Sequence, residues 1–212
     1  VFSTKRYNLE ELKKLGAKKT ILFFDSYDER YHKPFVLNSL EKKAFKANVV
    51  AIGAFEKQRA ASLNYIAENG IKVTIWGNGW NNFKSPHPLL EIKNKFLYGD
   101  AYSKAISGCK INLNFLRKIN RDKITSRSIE IPACRGFMLS ERTSLQTKIF
   151  IEGKEADFFS DDEELLNKKK YYLKNEKKRK MIAQNGYKKC ISSNLSMRFQ
   201  LKDIIHKIML NY

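Results

Sequence analysis

Cysteine, histidine and acidic side chains are all scarce in this sequence, and each shortage closes off a class of chemistry. The three cysteines, Cys109, Cys134 and Cys190, are far apart, odd in number and outside any CxxC spacing. That argues against a disulfide framework or a redox pair and for free thiols in or near a core. His32, His87 and His206 are isolated as well, so no metal cluster is legible and no metal or other cofactor is expected. No apolar run approaches ~18 residues and no signal-like segment follows Val1, so the expectation is a cytoplasmic chain without a spanning segment. Its 212 residues are enough to bury a real core. The absence of G-x-G-x-x-G after the first candidate strand weakens an NAD-dependent reading.

The shortage of acid leaves 41 basic residues against 22 acidic ones, a net charge of +19. A nucleic-acid partner, an anionic membrane surface and a plain lysine-rich solvated face all fit such an excess. The densest run, Lys168 to Lys180, falls on a predicted helical pair in which leucine and tyrosine interrupt the lysines. No RNP-like aromatic strand, zinc finger or glycine-bearing helix-turn-helix is present, so nucleic acid is disfavoured. The solvated face and a location peripheral to the inner side of a membrane both remain.

Along the chain, residues 1–47 read as a linker or the end of a preceding N-terminal domain. Asn8 with Glu11 suggests a capped helix stopped at Gly16, and Thr20 to Asp25 a short apolar strand. Asn48 to Ala54 is apolar on both faces, as a buried parallel strand is. A helix carrying Ala60, Leu63, Ile66 and Ala67 on one stripe follows, stops at Gly70 and leads to a strand at Ile71 to Trp76. Further strands are expected at Lys110 to Leu116, Phe137 to Leu139 and Ala156 to Ser160, with helices from Tyr102, over 162–174 and over 177–189. Met197, Leu201, Ile204, Ile205 and Ile208 stripe a last helix. The order predicts an α/β domain over 48–195, a doubly wound, mainly parallel Rossmann-like sheet with helices on both faces, and a C-terminal helix over 196–212.

Polar chemistry gathers in residues 121–141. Asp122 and Glu130 are carboxylates eight apart with Arg127 between them, and Gly136 closes a turn before the apolar run Phe137-Met138-Leu139. Thr125 and Ser126 can cap the intervening helix, so that its first amides and Arg127 face an anion. Arg117, Lys118 and Arg121 are expected on the same rim. Gly53 to Arg59 forms a second strand-to-helix turn at a strand's carboxyl end, where open α/β sheets take ligands. Arg59 or Lys57 could serve an anion there, or simply face solvent. In Gly77-Asn78-Gly79-Trp80 the glycines allow close backbone approach, and Trp80 is either a stacking face or a core residue.

The stretch around Glu130-Ile-Pro-Ala-Cys-Arg-Gly136 resembles the acidic motif in the C-terminal domain of GT-B retaining glycosyltransferases of group 1, and most of all those similar to the spore maturation protein CgeB. Two departures stand out: Asp122 replaces the usual first glutamate, and one extra residue precedes the glycine. The resemblance covers about 48–190 and implies the C-terminal half of a GT-B fold, with a short strand and Gly-Asp turn at Phe96 to Asp100. It implies transfer of a sugar, without a metal, from a nucleotide-sugar donor to a glycan, lipid or protein acceptor. In that reading Asp122, Arg127 and Glu130 are catalytic: Asp122 orients the sugar, Arg127 stabilises the departing diphosphate and Glu130 takes ribose hydroxyls. Gly53, Arg59, Gly77, Asn78, Gly79, Trp80, Lys118, Thr125 and Ser126 line the donor. His32, in a His-x-Pro pattern, either approaches the cleft or lies on the surface. The competing reading is a non-catalytic Rossmann-like module whose basic surface docks on a membrane or nucleic acid.

Overall fold

The computed structural model describes residues 1–209. Its elements are β1 (Phe2–Ser3), α1 (Arg6–Lys14), β2 (Ile21–Leu22), α2 (Ser39–Phe45), β3 (Ala47–Ile52), α3 (Lys57–Glu68), β4 (Val73–Trp76), β5 (Leu90–Ile92), α4 (Gly99–Ser107), β6 (Cys109–Asn114), α5 (Arg127–Ala133), β7 (Met138–Glu141), α6 (Ser144–Ile149), β8 (Asp157–Phe159), α7 (Asp162–Lys174), α8 (Glu176–Ser192) and α9 (Met197–Met209). Residues 210–212 of the expected C-terminal helix lie outside the described residues.

Six strands form one sheet in the order β5-β4-β3-β6-β7-β8, and every pairing is parallel. Alternating side chains divide the core. Val49, Ala51, Ile111, Leu113 and Leu139 pack with residues of α3 and α7 on one face. Met138 and Phe158 pack with Ile106, Ile129, Ile131 and Cys190 of α4, α5 and α8 on the other. This is the two-faced burial that makes parallel strands continuously apolar, and the Rossmann-like expectation holds. The chain order reverses between β3 and β6, so the turns after these neighbouring strands diverge and leave a crevice at their carboxyl ends.

Several local expectations are corrected. Asn8 lies inside α1, whose N-cap is Lys5 without a side-chain bond. A capping box does exist at Asn38 and Glu41, where each side chain bonds the other's backbone amide. The edge strand is Leu90–Ile92, and no strand covers 96–98, which leads into α4. Gly136 is not the left-handed residue that ends α5; Arg135 is, at φ 57°. Glycine is needed at 136 for space, since a Cβ would stand 2.5 Å from Ile106 Cγ2 and 2.9 Å from Asn112 Nδ2.

The N-terminal stretch is more structured than a linker. β1 and β2 pair in parallel around α1, and Tyr27 then bridges to Ser196 just before α9. The Tyr27 amide donates to Leu195 O at 3.3 Å and the Met197 amide to Tyr27 O at 2.8 Å. The cysteines are free, and burial pushes the Cys109 and Cys134 thiols up to about 12. That suits packing rather than nucleophilic or redox work. Among the described residues, no helix is long and apolar enough to cross a membrane.

Two positions test this packing. Gly186 of α8 faces Glu155 O so closely that an added Cβ would overlap it, with Pro132 Cβ of α5 behind at 3.3 Å. Gly186→Ala is expected to cost about 1–3 kcal/mol in urea denaturation. A neutral result would mean that α8 does not sit against this loop. Lys169 is 0% exposed, its Nζ has no hydrogen-bond partner among the described residues, and burial, then Lys170, pushes its ammonium down to about 7. The unfolded chain keeps that proton up to the ordinary 10.5, so stability rises with pH between about 7 and 10.5. Lys169→Met is expected to add about 1–3 kcal/mol at pH 7, and the gain should fade toward pH 10.5 in melts run across that range.

Candidate functional site

At the crevice, the turns after β3 and β4 are zipped together. Gly53 N donates to Trp76 O at 2.8 Å, and Phe55 N donates to Asn78 O at 2.8 Å. Gly77 has φ 141° and a Cβ there would overlap the Gly53 carbonyl, so glycine is required twice over. Asn78 and Gly79 are exposed at the rim. Trp80 is not: it is 2% exposed, donates from Nε1 to Gly53 O at 2.9 Å and packs edge-on against Phe55. The core alternative therefore wins for Trp80, and its face cannot stack on a ligand.

Two guanidiniums converge on Gly53. An ideal Cβ built there would lie 2.9 Å from Arg59 Nη1 and 3.9 Å from Arg127 Cζ. Arg59, on α3, is 5% exposed, donates to Ala54 O and pairs with Glu56 at 3.5 Å. Burial, followed by the like charge of Arg127, pushes its guanidinium down to about 10, still protonated at neutral pH. Arg127, on the first turn of α5, has no ion pair among the described residues. Two like charges at the end of a central strand, with one carboxylate 3.5 Å from Arg59, form a place that an anion would relieve.

Glu130 stands one helical turn from Arg127, on the same side of α5. Tyr102 OH donates to its Oε2 at 2.7 Å, and His32 Nε2 lies 3.7 Å from its Oε1. His32 Nδ1 accepts from the Asp28 amide at 2.9 Å, so Nε2 is the nitrogen that carries hydrogen toward the carboxylate. Burial and then Glu130 raise the Tyr102 hydroxyl well above its usual range, so it remains a donor. His32 thus belongs to the cleft rather than the open surface.

The rest of the motif departs from expectation. Asp122 is turned inward, its side chain 4% exposed and paired with Lys5 Nζ at 2.6 Å. While that pair holds, its carboxylate is not free to orient a sugar. Ser126 is the N-cap of α5 but makes no capping bond; its hydroxyl donates to Asp25 Oδ1 at 3.3 Å. The Ser128 and Ile129 amides already bond the Thr125 and Ser126 carbonyls at 2.9 Å each, and Thr125 Oγ1 is buried without a partner among the described residues. These amides are occupied, so positive charge here comes from the guanidiniums. Lys118 remains exposed on the rim, 3.9 Å from Glu141. Arg121 is drawn away to Glu11 at 3.0 Å and over the Tyr7 ring at 3.8 Å.

Glu141, Tyr102 and Asp25 were not legible as site residues. Glu141 accepts from the Leu116 amide at 2.6 Å, and burial pushes its carboxyl above the usual range. Beneath it, Asn114 donates to Ser128 and Ser140 at 3.0 Å each, Ser140 donates to Gln146 at 3.0 Å, and Gln146 donates to the Glu141 carbonyl at 2.7 Å. This buried chain joins β6, α5, β7 and α6 and sets where Arg127 and Glu130 stand. Asn at 114 and Ser at 128 and 140 were its only trace in the sequence. Among the described residues, no group of three or more histidine, cysteine, aspartate or glutamate side chains is placed to hold a metal ion.

Solved structures share this fold at low identity. The C-terminal domain of the group 1 glycosyl transferase LpcC from Francisella tularensis matches with TM-score 0.62 and 11% identity, over 80% of this chain and 98% of that one. HepE from Anabaena, in complex with UDP-glucose, matches with TM-score 0.72 and 11% identity, over 99% of this chain and 63% of that one. Sucrose-phosphate synthase from Thermosynechococcus elongatus matches with TM-score 0.69 and 11% identity, over 100% of this chain and 59% of that one. The chain therefore spans about three fifths of the latter two proteins. No curated sequence matches the chain. The glycosyl transferase-like family model matches residues 58–202, more than half of the sequence, and the chain belongs to that family.

Proposed function

We propose that this chain is the donor-binding part of a retaining, metal-independent hexosyltransferase of GT-B type, taking a nucleotide-sugar and passing the sugar to a glycan or lipid-linked acceptor. The observation that carries the reading is the pair of guanidiniums meeting over Gly53 with Glu130 one turn along the same helix. A diphosphate placed between Arg59 and Arg127 relieves their repulsion. At an effective dielectric of ~20, each phosphate charge ~4 Å from a guanidinium gains about 4 kcal/mol before desolvation. That attraction grows as the leaving diphosphate gathers charge, so the pair favours the transition state over the ground state.

Glu130, aligned by Tyr102 and His32, accepts ribose hydroxyls, and the loops at Gly53 and Gly77 to Gly79 lie close enough in backbone to admit the nucleotide. Lys118 reaches the rim as an exposed counter-charge. The family match and the UDP-glucose held by HepE support this donor class. In this division residues 1–47 end a domain that supplies the other wall of the cleft, 48–195 bind the donor, and the C-terminal helix begins where Ser196 bridges back to Tyr27. The spore-maturation subtype and a role in cell-surface polysaccharide synthesis belong to the same proposal. The lysine-rich outer faces of α7 and α8 suit an anionic membrane surface at the cytoplasmic side.

Titration calorimetry with UDP and with uridine tests the assignment. Glu130→Ala is expected to weaken both ligands tenfold to a hundredfold, because a hydrogen bond to a charged group contributes ~1.5–3 kcal/mol. Arg127→Ala is expected to weaken UDP by at least as much while leaving uridine within about twofold. If both variants bind UDP as the parent does, the nucleotide site lies elsewhere.

A further inference from the structure

A cavity of about 420 Å³ lies between the β1-α1-β2 unit and the 121–124 loop with α6, and Asp25 on its wall accepts from Ser126. Its volume is in the range of small-molecule sites, roughly 300–1,000 Å³. Cations from three separate elements line it: Arg6 at the start of α1, Lys123 in the loop and Lys148 near the end of α6. None of these three has a carboxylate partner among the described residues. Lys5 and Arg121 also line it, but Asp122 and Glu11 neutralise them. Asp25 is the one carboxylate on its described wall, held by Ser126 and acted on by the Lys5 ammonium. Leu22, Ile124 and Leu145 supply an apolar side.

Three unpaired cations on scattered surface would be ordinary solvated side chains. Converging on one concavity, these exposed cations raise its positive potential together, so an occupant that carries negative charge is favoured. The apolar wall asks for a body beyond the charge. We propose that this cavity binds the phosphate of a phosphorylated acceptor, with Arg6, Lys123 and Lys148 as its counter-charges. The inference rests on the donor reading only for the word acceptor. Asp25 on the cavity wall bonds Ser126, the N-cap of the helix that bears Arg127 and Glu130, and so ties such a ligand's site to that helix.

The test is calorimetry of the 212-residue chain with glucose 6-phosphate, glucose and UDP, repeated on the double variant Arg6→Ala/Lys148→Ala. Thermal melts confirm that the variant is folded. Glucose 6-phosphate is expected to bind where glucose does not, to keep its affinity within about twofold under saturating UDP, and to lose at least tenfold in the double variant. Raising salt tenfold from about 0.05 M should weaken it strongly, since screening shortens the reach of exposed charges to a few ångströms. Displacement of glucose 6-phosphate by UDP, equal binding of glucose, or an unchanged affinity in the double variant would each overturn the proposal. A parallel arm with phosphatidylglycerol against phosphatidylcholine vesicles separates the sources of the phosphate. A matching tenfold loss of retention in the double variant assigns a lipid headgroup, and a loss confined to glucose 6-phosphate assigns a soluble acceptor. Failure of UDP to bind would sink the donor reading alone, because the phosphate titration reads the cavity with or without nucleotide.

Discussion

Parallel pairing of β3 with β6 at the centre of the sheet is the constraint from which the site follows. Ala47 pairs with Cys109 and Ala51 with Leu113, so the two strands end side by side. Their connections then run in opposite directions along the sheet, one to β4 and the other to β7. Backbone that diverges in this way cannot close over the strand ends. Gly53 is left at the floor of the crevice, with α3 bringing Arg59 from one side and α5 bringing Arg127 from the other.

Holding two guanidiniums together is costly, and the surroundings offset the cost only in part. Glu56 lies 3.5 Å from Arg59 and Glu141 acts on it from farther off, while Arg127 has neither partner so close. A site left short of negative charge favours an anionic ligand without further rearrangement. The carboxylates that could have neutralised it are committed elsewhere. Asp122 is locked to Lys5, and Glu130 is held by Tyr102 and His32. The same economy governs the neighbouring cavity, where Lys5 and Arg121 are compensated and Arg6, Lys123 and Lys148 are not.

Rigidity comes from the buried polar chain under the motif. Asn114, Ser128, Ser140 and Gln146 are each 0% exposed, and their bonds run across four elements. Each member would cost free energy if left unpaired, so the helix cannot shift along the sheet without breaking several bonds at once. Pro132 sits inside α5 and only forgoes a bond to the Ser128 carbonyl, while the Cys134 amide still bonds Glu130 O at 3.0 Å before Arg135 ends the helix.

Much of the architecture was readable because local chemistry alone dictates it. Continuous apolar runs bounded by glycine can only be buried parallel strands here, and the stripe of Ala60, Leu63, Ile66 and Ala67 needs a sheet to cover it. The strand-end rule pointed to the rim that carries Arg59, Arg127 and Glu130, while the family resemblance singled these residues out and gave them their roles. Local chemistry misled where two local patterns looked alike, as with Asn8 and Asn38, or where a tryptophan could serve core or ligand. The sequence by itself thus determined the sheet, its helices and the charges at its carboxyl edge. Only the tertiary structure decided that Asp122 faces Lys5, that Trp80 is buried, that His32 and Tyr102 hold Glu130, and that Arg6, Lys123 and Lys148 share a cavity. Those outcomes depend on residues tens to more than a hundred positions apart, and pairing at such range is set by packing, which no local pattern encodes.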